Sequence, residues 1–363
     1  MWVLSVLKGE PDVSPRQQVC PVCGHPHGQR YGRRRRRIRD LQEAEVSVQR
    51  MRCPRCRATW SVYPEGLKPY RHRSQRVREL GVLLYALGLS YRKVAQVLAS
   101  LKVPVSPATL LADVVAAGVE ARERNRQLRG RVQVRRIGVD GTGVLMAGRG
   151  SEGVVLAVDL EKGEALVVEA VEERDREEVT AWVQRVVEAF RPEEVVTDEA
   201  ASYGEALEGG EGGPRHRLCA AHFRRNKMRR LKELEREAER AGWGVLVMEV
   251  RALQALLRSP PEVLERVAWR WYLRGYAWAR APGRGERAGW RTRMRGLLLE
   301  LAEKARKVTG VTNNVTEGTI GRAFKVRVQS MRGFKKEANR DAFLNLAILL
   351  DRARRRPVAR IVV

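Results

Sequence analysis

The chain has 363 residues, 44% of them hydrophobic, which is enough for two or three domains with cores of their own. Its formal net charge of +27 is typical of a folded protein that meets a polyanion, and nucleic acid is the first candidate. No apolar run reaches the length of a membrane span, and the opening MWVLSVLKGEPD lacks the basic start and the length of a signal peptide. We therefore expect a cytoplasmic, nucleoid-associated protein without a membrane partner, whose five cysteines are thiols or metal ligands rather than disulfides.

The charge is unevenly distributed along the chain. Residues 1–134 carry 26 basic and 10 acidic side chains, residues 135–200 carry 8 and 16, and residues 201–363 carry 36 and 17. An acidic segment between two basic ones needs a cation if all three face a phosphate backbone. Solvated glutamates on the amphipathic helix EERDREEVTAWVQRVVEAF are the simpler explanation for most of the acidic excess.

Two C-x-x-C pairs lie in the first 60 residues, Cys20 with Cys23 and Cys53 with Cys56. Four thiolates on two tight turns suit one tetrahedral zinc ion, and the segments between the pairs alternate like short β-strands. We predict a small β zinc ribbon over residues 1–73 that holds one structural Zn²⁺. Free core thiols and a redox site are the alternatives, and His25 and His27 are spare ligands.

The run GRRRRRIR follows the first cysteine pair. Five adjacent guanidinium groups repel each other unless an anion lies near them. We predict that the run contacts DNA phosphates, with a solvated loop as the alternative. The predicted contacts are Arg33, Arg34, Arg35, Arg36 and Arg37.

Residues 74–118 have the periodicity of three short helices. The first carries an apolar stripe, Val77, Leu80, Leu84 and Leu87, and stops at Gly88. Ser90 caps the second, and Ser106 with Pro107 begins the third. Tight turns between them predict an α-helical helix-turn-helix domain with the third helix in the major groove, although a plain packing module has the same pattern. Thr109 and Asp113 are candidate base-facing residues, and residues 119–134 look like a charged linker helix.

The remaining residues, 135–363, begin with the element order β, β, β, α, β, α. This order predicts an α/β core of the ribonuclease H-like type, in which the first and fourth strands are neighbours. Asp140 lies in the first strand and Asp198 at the end of the fourth, so the two carboxylates would face each other. A lone Asp in a strand is more often a turn or edge residue. Asp159 is such a case, and Glu199 is an alternative to Asp198.

Two facing carboxylates repel each other, and Mg²⁺ with its preference for oxygen ligands would relieve that repulsion. Glu317 is a candidate third ligand, because Asn313 and Asn314 predict a helix start that places it in the first turn. The cations that follow, Arg322, Lys325 and Arg327, would lie where a DNA backbone passes.

At this point the chain resembles the DDE transposases of bacterial insertion sequences over nearly its whole length. CPVCG and RCPRC resemble their zinc-ribbon start, and GVDGTG, VVTDEAASY and TNNVTEGTIGRAFKVR resemble their three acidic motifs in order. LCAAHF resembles the C-x-x-H signature of several such groups. Without the resemblance, Cys219 and His222 read as a core thiol at a strand end or as a stray metal pair.

The resemblance implies a transposase that binds the ends of its element and cuts and transfers DNA strands. It implies two Mg²⁺ ions (Mn²⁺ is possible) at Asp140, Asp198 and Glu317, with Cys219 and His222 shaping the site. An all-helical insertion is expected at about 224–310. The expected partners are double-stranded DNA, as transposon end and as target, and a second copy of the chain.

Two other functions remain open from the sequence. A non-cleaving DNA-binding regulator would share every basic feature but would tolerate the loss of a carboxylate, whereas all three are present here. Another ribonuclease H-like nuclease, such as a junction resolvase, would not need both a zinc ribbon and a helix-turn-helix for the recognition of DNA ends.

Overall fold

A computed structural model describes residues 2–127, 133–172, 175–208, 212–275, 285–309, 313–325, 328–329, 331, 333–355 and 359–360. The protein has a multidomain α/β fold. Its strands are β1 (Trp2–Val3), β2 (Gln29–Arg37), β3 (Glu45–Arg52), β4 (Thr59–Val62), β5 (Arg136–Met146), β6 (Gly150–Asp159), β7 (Ala165–Ala170), β8 (Glu194–Thr197), β9 (Arg215–Cys219), β10 (Val308–Thr309) and β11 (Ala359–Arg360).

The α-helices are α1 (Pro15–Gln18), α2 (Gln75–Ala86), α3 (Tyr91–Ser100), α4 (Pro107–Gln127), α5 (Arg176–Phe190), α6 (Ala201–Glu208), α7 (Ala220–Arg240), α8 (Gly244–Leu256), α9 (Pro261–Arg270), α10 (Glu286–Lys304), α11 (Asn314–Ile320) and α12 (Glu337–Arg355). Short π-helical turns cover Trp271–Gly275 and Gly321–Lys325. Within the described part of the chain, no helix is long and apolar enough to cross a bilayer.

The chain divides into two compact units. Unit 1 comprises Met1–Leu128, Gly143–Glu152 and Ile320–Val363, and unit 2 comprises Arg129–Thr142 and Gly153–Thr319. These units cut across the predicted boundaries at residues 73, 118 and 134, which stay predictions. The helix α4 is continuous through the predicted boundary at 118. Gly118 packs so closely on Ala342 of α12 that a Cβ there would overlap it.

Unit 1 begins with an antiparallel sheet in the order β2-β3-β4. Its inner face covers a small apolar cluster of Leu7, Ile38, Val46 and Leu67. The strand β2 is the edge of this sheet, and its pairing with β3 is irregular between Arg30 and Arg33, where Gly32 has a φ of +86°. A β-bulge with a left-handed glycine explains the irregularity.

The five arginines of β2 therefore form a strand rather than a loop. Because side chains alternate along a strand, Arg34 and Arg36 lie on the same face of the sheet as their cross-strand partners, the buried Val48 and Val46. The other three arginines lie on the other face. The guanidinium of Arg36 lies 5.7 Å from the centre of the Tyr63 ring. The five cations cannot all face one phosphate backbone at the same time.

The helices α3 and α4 begin where their predicted capping serines place them, and α2 begins after Ser74, the first residue of the predicted helical stretch. The Oγ atoms of Ser74, Ser90 and Ser106 accept hydrogen bonds from the backbone N–H groups three residues ahead. Gly88 follows α2 with a φ of +111°. The local signals of the sequence thus fixed the helix ends, as expected for capping motifs.

The buried face of α2 differs from the predicted stripe. Leu87 is 42% exposed, whereas Arg78 and Glu79 are buried. Asp113 of α4 was predicted to face DNA bases, and that prediction is wrong. Its carboxylate is buried and receives hydrogen bonds from Arg73 (2.5 Å) and Arg78 (3.1 Å), because a buried carboxylate needs cationic partners.

Unit 2 is built on a six-stranded sheet in the order β10-β9-β8-β5-β6-β7, to which β5 and β6 contribute the parts that belong to this unit. The strands β5, β8, β9 and β10 are parallel, and β6 and β7 form an antiparallel hairpin. The neighbours β5 and β8 are the first and fourth strands of the sequence prediction. Trp182 and Phe190 of α5 pack on the sheet in one apolar cluster.

A second core in unit 2 is helical. Residues of α7, α8, α9 and α10 bury one another around Leu234, Leu253 and Trp290, and the indole Nε1 of Trp290 donates to the Leu234 carbonyl at 2.9 Å. These helices follow β9 and precede β10, and they start at Ala220, four residues before the predicted helical insertion of about 224–310. The first of them, α7, begins at the end of the sheet that carries the candidate site.

Candidate functional site

The acidic residues predicted from the sequence meet at one end of the six-stranded sheet. The strands β5 and β8 are paired in parallel with Gly138 opposite Val196. Asp140 lies on β5 two residues beyond Gly138, and β8 ends at Thr197, one residue before Asp198, so both aspartates lie at the same end of the sheet. The strand β9 ends in the same direction at Cys219, from which α7 starts directly. The site is therefore built where parallel strands end.

Asp140, His222 and Glu317 form a compact cluster. Each offers one ligand atom, and these three atoms lie within 4.8 Å of one another. The Nε2 atom of His222 lies 2.7 Å from Oε1 of Glu317, and a guanidinium nitrogen of Arg225 lies 3.7 Å from the same oxygen. His222 and Arg225 are in the first two turns of α7, so this helix start places a ring nitrogen and a cation beside the carboxylates.

The protonation of Asp140 is strongly perturbed. The pKa of its carboxyl group is raised to about 6, chiefly by burial and also by the charges of Asp198 and Glu317, while His222 and the Gly141 N–H act to lower it. The backbone N–H of Gly141 is the hydrogen-bond donor to its Oδ1, at 3.0 Å. A desolvated carboxylate among other carboxylates is the arrangement that a bound cation relieves.

Asp198 stands somewhat apart from the cluster. Its Oδ1 accepts a hydrogen bond from the N–H of Ala200 at 3.0 Å, just before α6, and it is not in the group of three whose ligand atoms lie within 4.8 Å. The sequence predicted that Asp198 groups with Asp140 and Glu317. In the structure, His222 takes the place of Asp198 in that group. The difference arises because α7 carries an imidazole into the space beside Glu317. The effect of Asp198 on Asp140 is through its charge.

The alternative ligand Glu199 is engaged elsewhere. Its carboxylate lies 2.6 Å from Nζ of Lys227, a residue of α7 that is only 3% exposed, and it also accepts from Asn226. The same Nζ lies 2.6 Å from Glu300 of α10. This buried ion-pair cluster links the end of β8 to α7 and α10. Sequence patterns gave no sign of it, because its members are far apart in the chain.

Asn313 connects the segments that carry the cluster. It is fully buried, and its Nδ2 donates to the carbonyl of Val139, the residue before Asp140, at 2.8 Å. Its backbone N–H lies 3.1 Å from Sγ of Cys219, its carbonyl accepts from the N–H of Glu317, and its Oδ1 accepts from Thr316 at 2.5 Å. Cys219 thus anchors the start of α11, as a residue that shapes the site would.

The strand β5 must pass close to this asparagine. A Cβ on Gly138 would overlap Oδ1 of Asn313 and Oγ1 of Thr316. Glycine is therefore needed two residues before Asp140 for the close approach of α11, and not for an unusual backbone angle. The sequence predicted Asn313 as a helix cap. It gave no sign of the bond to β5.

The four cysteines of unit 1 fit a tetrahedral metal. Sγ atoms of Cys20 and Cys56 are 3.6 Å apart, and so are those of Cys23 and Cys53. A Zn–S distance of about 2.3 Å requires sulfurs about 3.8 Å apart, so the cage is close to the required size. Burial opposes ionisation of Cys53, but backbone N–H groups of Cys56 and Arg55 lower the pKa of its thiol to about 6. This set could hold a structural zinc, as predicted.

The donors of the second cluster fit a divalent cation less specifically. The carboxylates of Asp140 and Glu317 suit a hard ion such as Mg²⁺, whereas the imidazole of His222 suits Mn²⁺ or Zn²⁺. Nδ1 of His222 is buried and has no hydrogen-bond partner among the described residues. The three residues could bind a metal, and the donor set does not single out Mg²⁺.

The other residues predicted to contact DNA are spread over unit 1. Thr109 lies in the first turn of α4, where its hydroxyl pairs with Ser106 at 2.7 Å. Arg322 lies 3.6 Å from the buried Asp351, and Lys325 is exposed. Arg327 lies outside the described residues. Arg33 is bridged to Glu10 and Arg35 to Glu45, at 3.3 and 3.7 Å.

One family model matches the chain, over residues 20–82, and its description is a domain of unknown function, DUF6431. The matched stretch contains all four cysteines of the cage, the sheet β2-β3-β4 and the first part of α2. No curated protein matches the chain. The cysteine-bearing segment is thus similar to that domain, and the match says nothing of an activity.

Proposed function

We propose that the protein is a DDE-type transposase that binds the ends of its own insertion sequence and cuts and transfers DNA strands. The observation that carries the proposal is the convergence of Asp140, Asp198 and Glu317. These carboxylates come from three distant segments, and two of them meet within 4.8 Å. Structural ion pairs would match each acid with a base, whereas Asp140 keeps a raised pKa of about 6.

The topology of unit 2 supports a ribonuclease H-like core. The order β7-β6-β5-β8-β9 sets the first strand in the middle, beside the fourth, with a hairpin on one side and parallel strands on the other. The helices α7 to α10 fall between the second and third acidic motifs, where the resemblance expects an all-helical insertion. Fold alone does not define an activity, so the site carries the proposal.

Each residue of the site would have a distinct role. Asp140, Asp198 and Glu317 would hold divalent cations, which when bound supply Lewis-acid activation of a water and of the scissile phosphate. His222 would fix the Glu317 carboxylate through its Nε2. Arg225, exposed beside Glu317, would bind a phosphate oxygen of the cut strand. Asn313 would keep Glu317 in register with Asp140.

The binding of DNA ends would belong to the zinc ribbon and to a helix-turn-helix formed by α2, α3 and α4. The tight turns and capping serines of these helices support that reading, and the arginines of β2 offer phosphate contacts on two faces of the ribbon. A dimer is proposed in the DNA complex, since two ends must be joined.

The test uses purified protein, Mg²⁺ or Mn²⁺, and a DNA fragment with the ends that flank its own gene. We expect nicks at the element ends and joined products, both lost in Glu317→Gln. Glu161→Gln is the matched control. It removes the same charge, and Glu161 is an exposed glutamate in the β6–β7 turn. Specific binding without cleavage by any of the three proteins would instead favour the regulator. Equal cleavage by all three would exclude Glu317 as a ligand.

A further inference from the structure

One face of α7 carries a row of cations that starts at the acidic cluster. Arg225, Arg229, Lys232 and Arg236 follow His222 at spacings of three, four, three and four residues, so all lie on one face of the helix. All four cations are exposed, and the opposite face packs into the helical core. We call these four residues the α7 row.

The α7 row lines a shallow groove of about 290 Å³. Its walls are the four cations together with Met228 and Glu233. Glu233 is the single acidic side chain among the described residues that line this groove. A solvated helix face usually mixes the two signs, whereas this groove is strongly positive.

Several other charged residues of the same helix are paired. Lys227 and Arg230 contact Glu300, and Arg251 of α8 contacts both Glu235 and Glu239. By contrast, no carboxylate among the described residues lies within ion-pair distance of Arg229, Lys232 or Arg236. The helix therefore separates its charges, with neutralised pairs on the flanks and unmatched cations on the outward face.

The row is aligned with the site. Arg225 approaches Glu317 to 3.7 Å at one end. The helix rises by 1.5 Å per residue, so the cations extend from there over about 16 Å, the length of about five nucleotides of a DNA strand. A polyanion that enters the groove from the site would meet about one cation per helical turn.

We propose that the α7 row binds the phosphodiester backbone of duplex DNA next to the phosphate that is cut. The position of the cut phosphate rests on the proposed function, but the ligand class rests on the charge of the groove. The contacts are to phosphates alone, so the row adds affinity and orientation without reading sequence.

The first test measures the salt dependence of binding to a 30-base-pair duplex of arbitrary sequence in EDTA. The triple variant Arg229→Gln, Lys232→Gln, Arg236→Gln should lower the slope of log affinity against log salt by about 2 to 3, at about 0.9 per phosphate contact. The matched control is Arg135→Gln, Arg176→Gln, Arg185→Gln, which removes the same charge from exposed arginines that are already paired with glutamates. An equal change in both triple variants would overturn the proposal.

A second measurement uses the unmodified protein and does not depend on how the variants fold. Acetylation of exposed lysines, read by mass spectrometry, should be slowed at Lys232 when the duplex is bound at low salt. Lys162, an exposed lysine in the β6–β7 turn, serves as the internal reference. Equal acetylation of Lys232 with and without DNA would contradict binding at the row.

These results separate the inference from the proposed function. If wild-type protein cuts its element ends while the α7 row variant binds DNA as the control does, the inference fails and the transposase proposal stands. If binding depends on the row but no DNA is cut, the inference of a phosphate-binding face stands and the transposase proposal fails.

Discussion

Asp140 destabilises the folded protein when it is ionised without a cation. Its carboxyl pKa is about 6 in the folded state and about 4 in an unfolded chain, so the folded state binds more protons between these values. Folding stability should fall as pH rises from 4 to 6 and then level off. The loss amounts to roughly 3 kcal/mol, at 1.36 kcal/mol per unit of pKa.

Replacement by asparagine removes this titration. We expect Asp140→Asn to be more stable than the wild type at pH 7 in EDTA and to show a flatter stability profile between pH 4 and 6. Urea unfolding at several pH values measures both. Addition of Mn²⁺ or Mg²⁺ at pH 7 should stabilise the wild type and leave the variant unchanged. A variant with the same pH profile as the wild type would show that Asp140 ionises normally.

Asn313 offers a second prediction at the scale of single residues. In Asn313→Ala, the carbonyl of Val139 and the hydroxyl of Thr316 both lose their buried partner. We expect a loss of about 1–3 kcal/mol in the free energy of unfolding, because unsatisfied buried polar groups are costly. Under the proposed function, strand cleavage should fall more steeply than DNA binding, because Glu317 loses its anchor. The adjacent and exposed Asn314→Ala is the matched control, and equal effects of both changes would contradict the role of Asn313.

The four-cysteine cage of unit 1 makes a prediction at the scale of elements. The apolar cluster under the sheet β2-β3-β4 is small, so the cage would supply much of the stability of these strands. We expect purified protein to contain one equivalent of zinc, measured by elemental analysis, and Cys53→Ser to contain almost none. Cys219→Ala, which alters a thiol outside the cage, should keep its zinc. Equal zinc loss in both variants would argue against a site of four cysteines.

The link between β8, α7 and α10 depends on a buried lysine. Burial would raise the pKa of Glu300, but hydrogen bonds and charges from Arg230 and Lys227 lower it, so the Glu300 carboxylate is ionised in the folded state. Lys227→Met leaves Glu199 and Glu300 without their shared cation and should cost about 3–5 kcal/mol in unfolding experiments. The exposed Lys232→Met on the same helix should be nearly neutral for stability. The prediction fails if both variants unfold at the same urea concentration.

Across the whole molecule, local signals were predictable and long-range polar contacts were not. The serine caps of α3 and α4 and the element order of the core could be deduced from residues a few positions apart. Asp113 could not, because its partners Arg73 and Arg78 are 40 and 35 residues away. His222 likewise joins Glu317 only through the fold. Charged residues in the sequence do not reveal whether water or a distant partner will solvate them.

The acidic segment illustrates the same point. Several of its glutamates form ion pairs with arginines of unit 2 and therefore need no bound metal ion for neutralisation. Glu193 is bridged to Arg135, Glu194 to Arg136 and Glu169 to Arg185, each at 3.0 Å. Of the acidic excess, Asp140 and Asp198 are the part that belongs to the candidate site. Net charge counted along a segment therefore overstated the demand for metal.

The arginine tract of β2 has a consequence for alignment. Because five successive residues are identical, a slip of β2 by two positions along β3 would return nearly the same side chains to each face, and the tract cannot distinguish one alignment from the next. Only the flanking residues can do so. Gly32 permits the bulge at one end, and Ile38 inserts into the apolar cluster at the other. The arginine tract therefore does not specify the register of β2 on β3, and Gly32 and Ile38 at its two ends do.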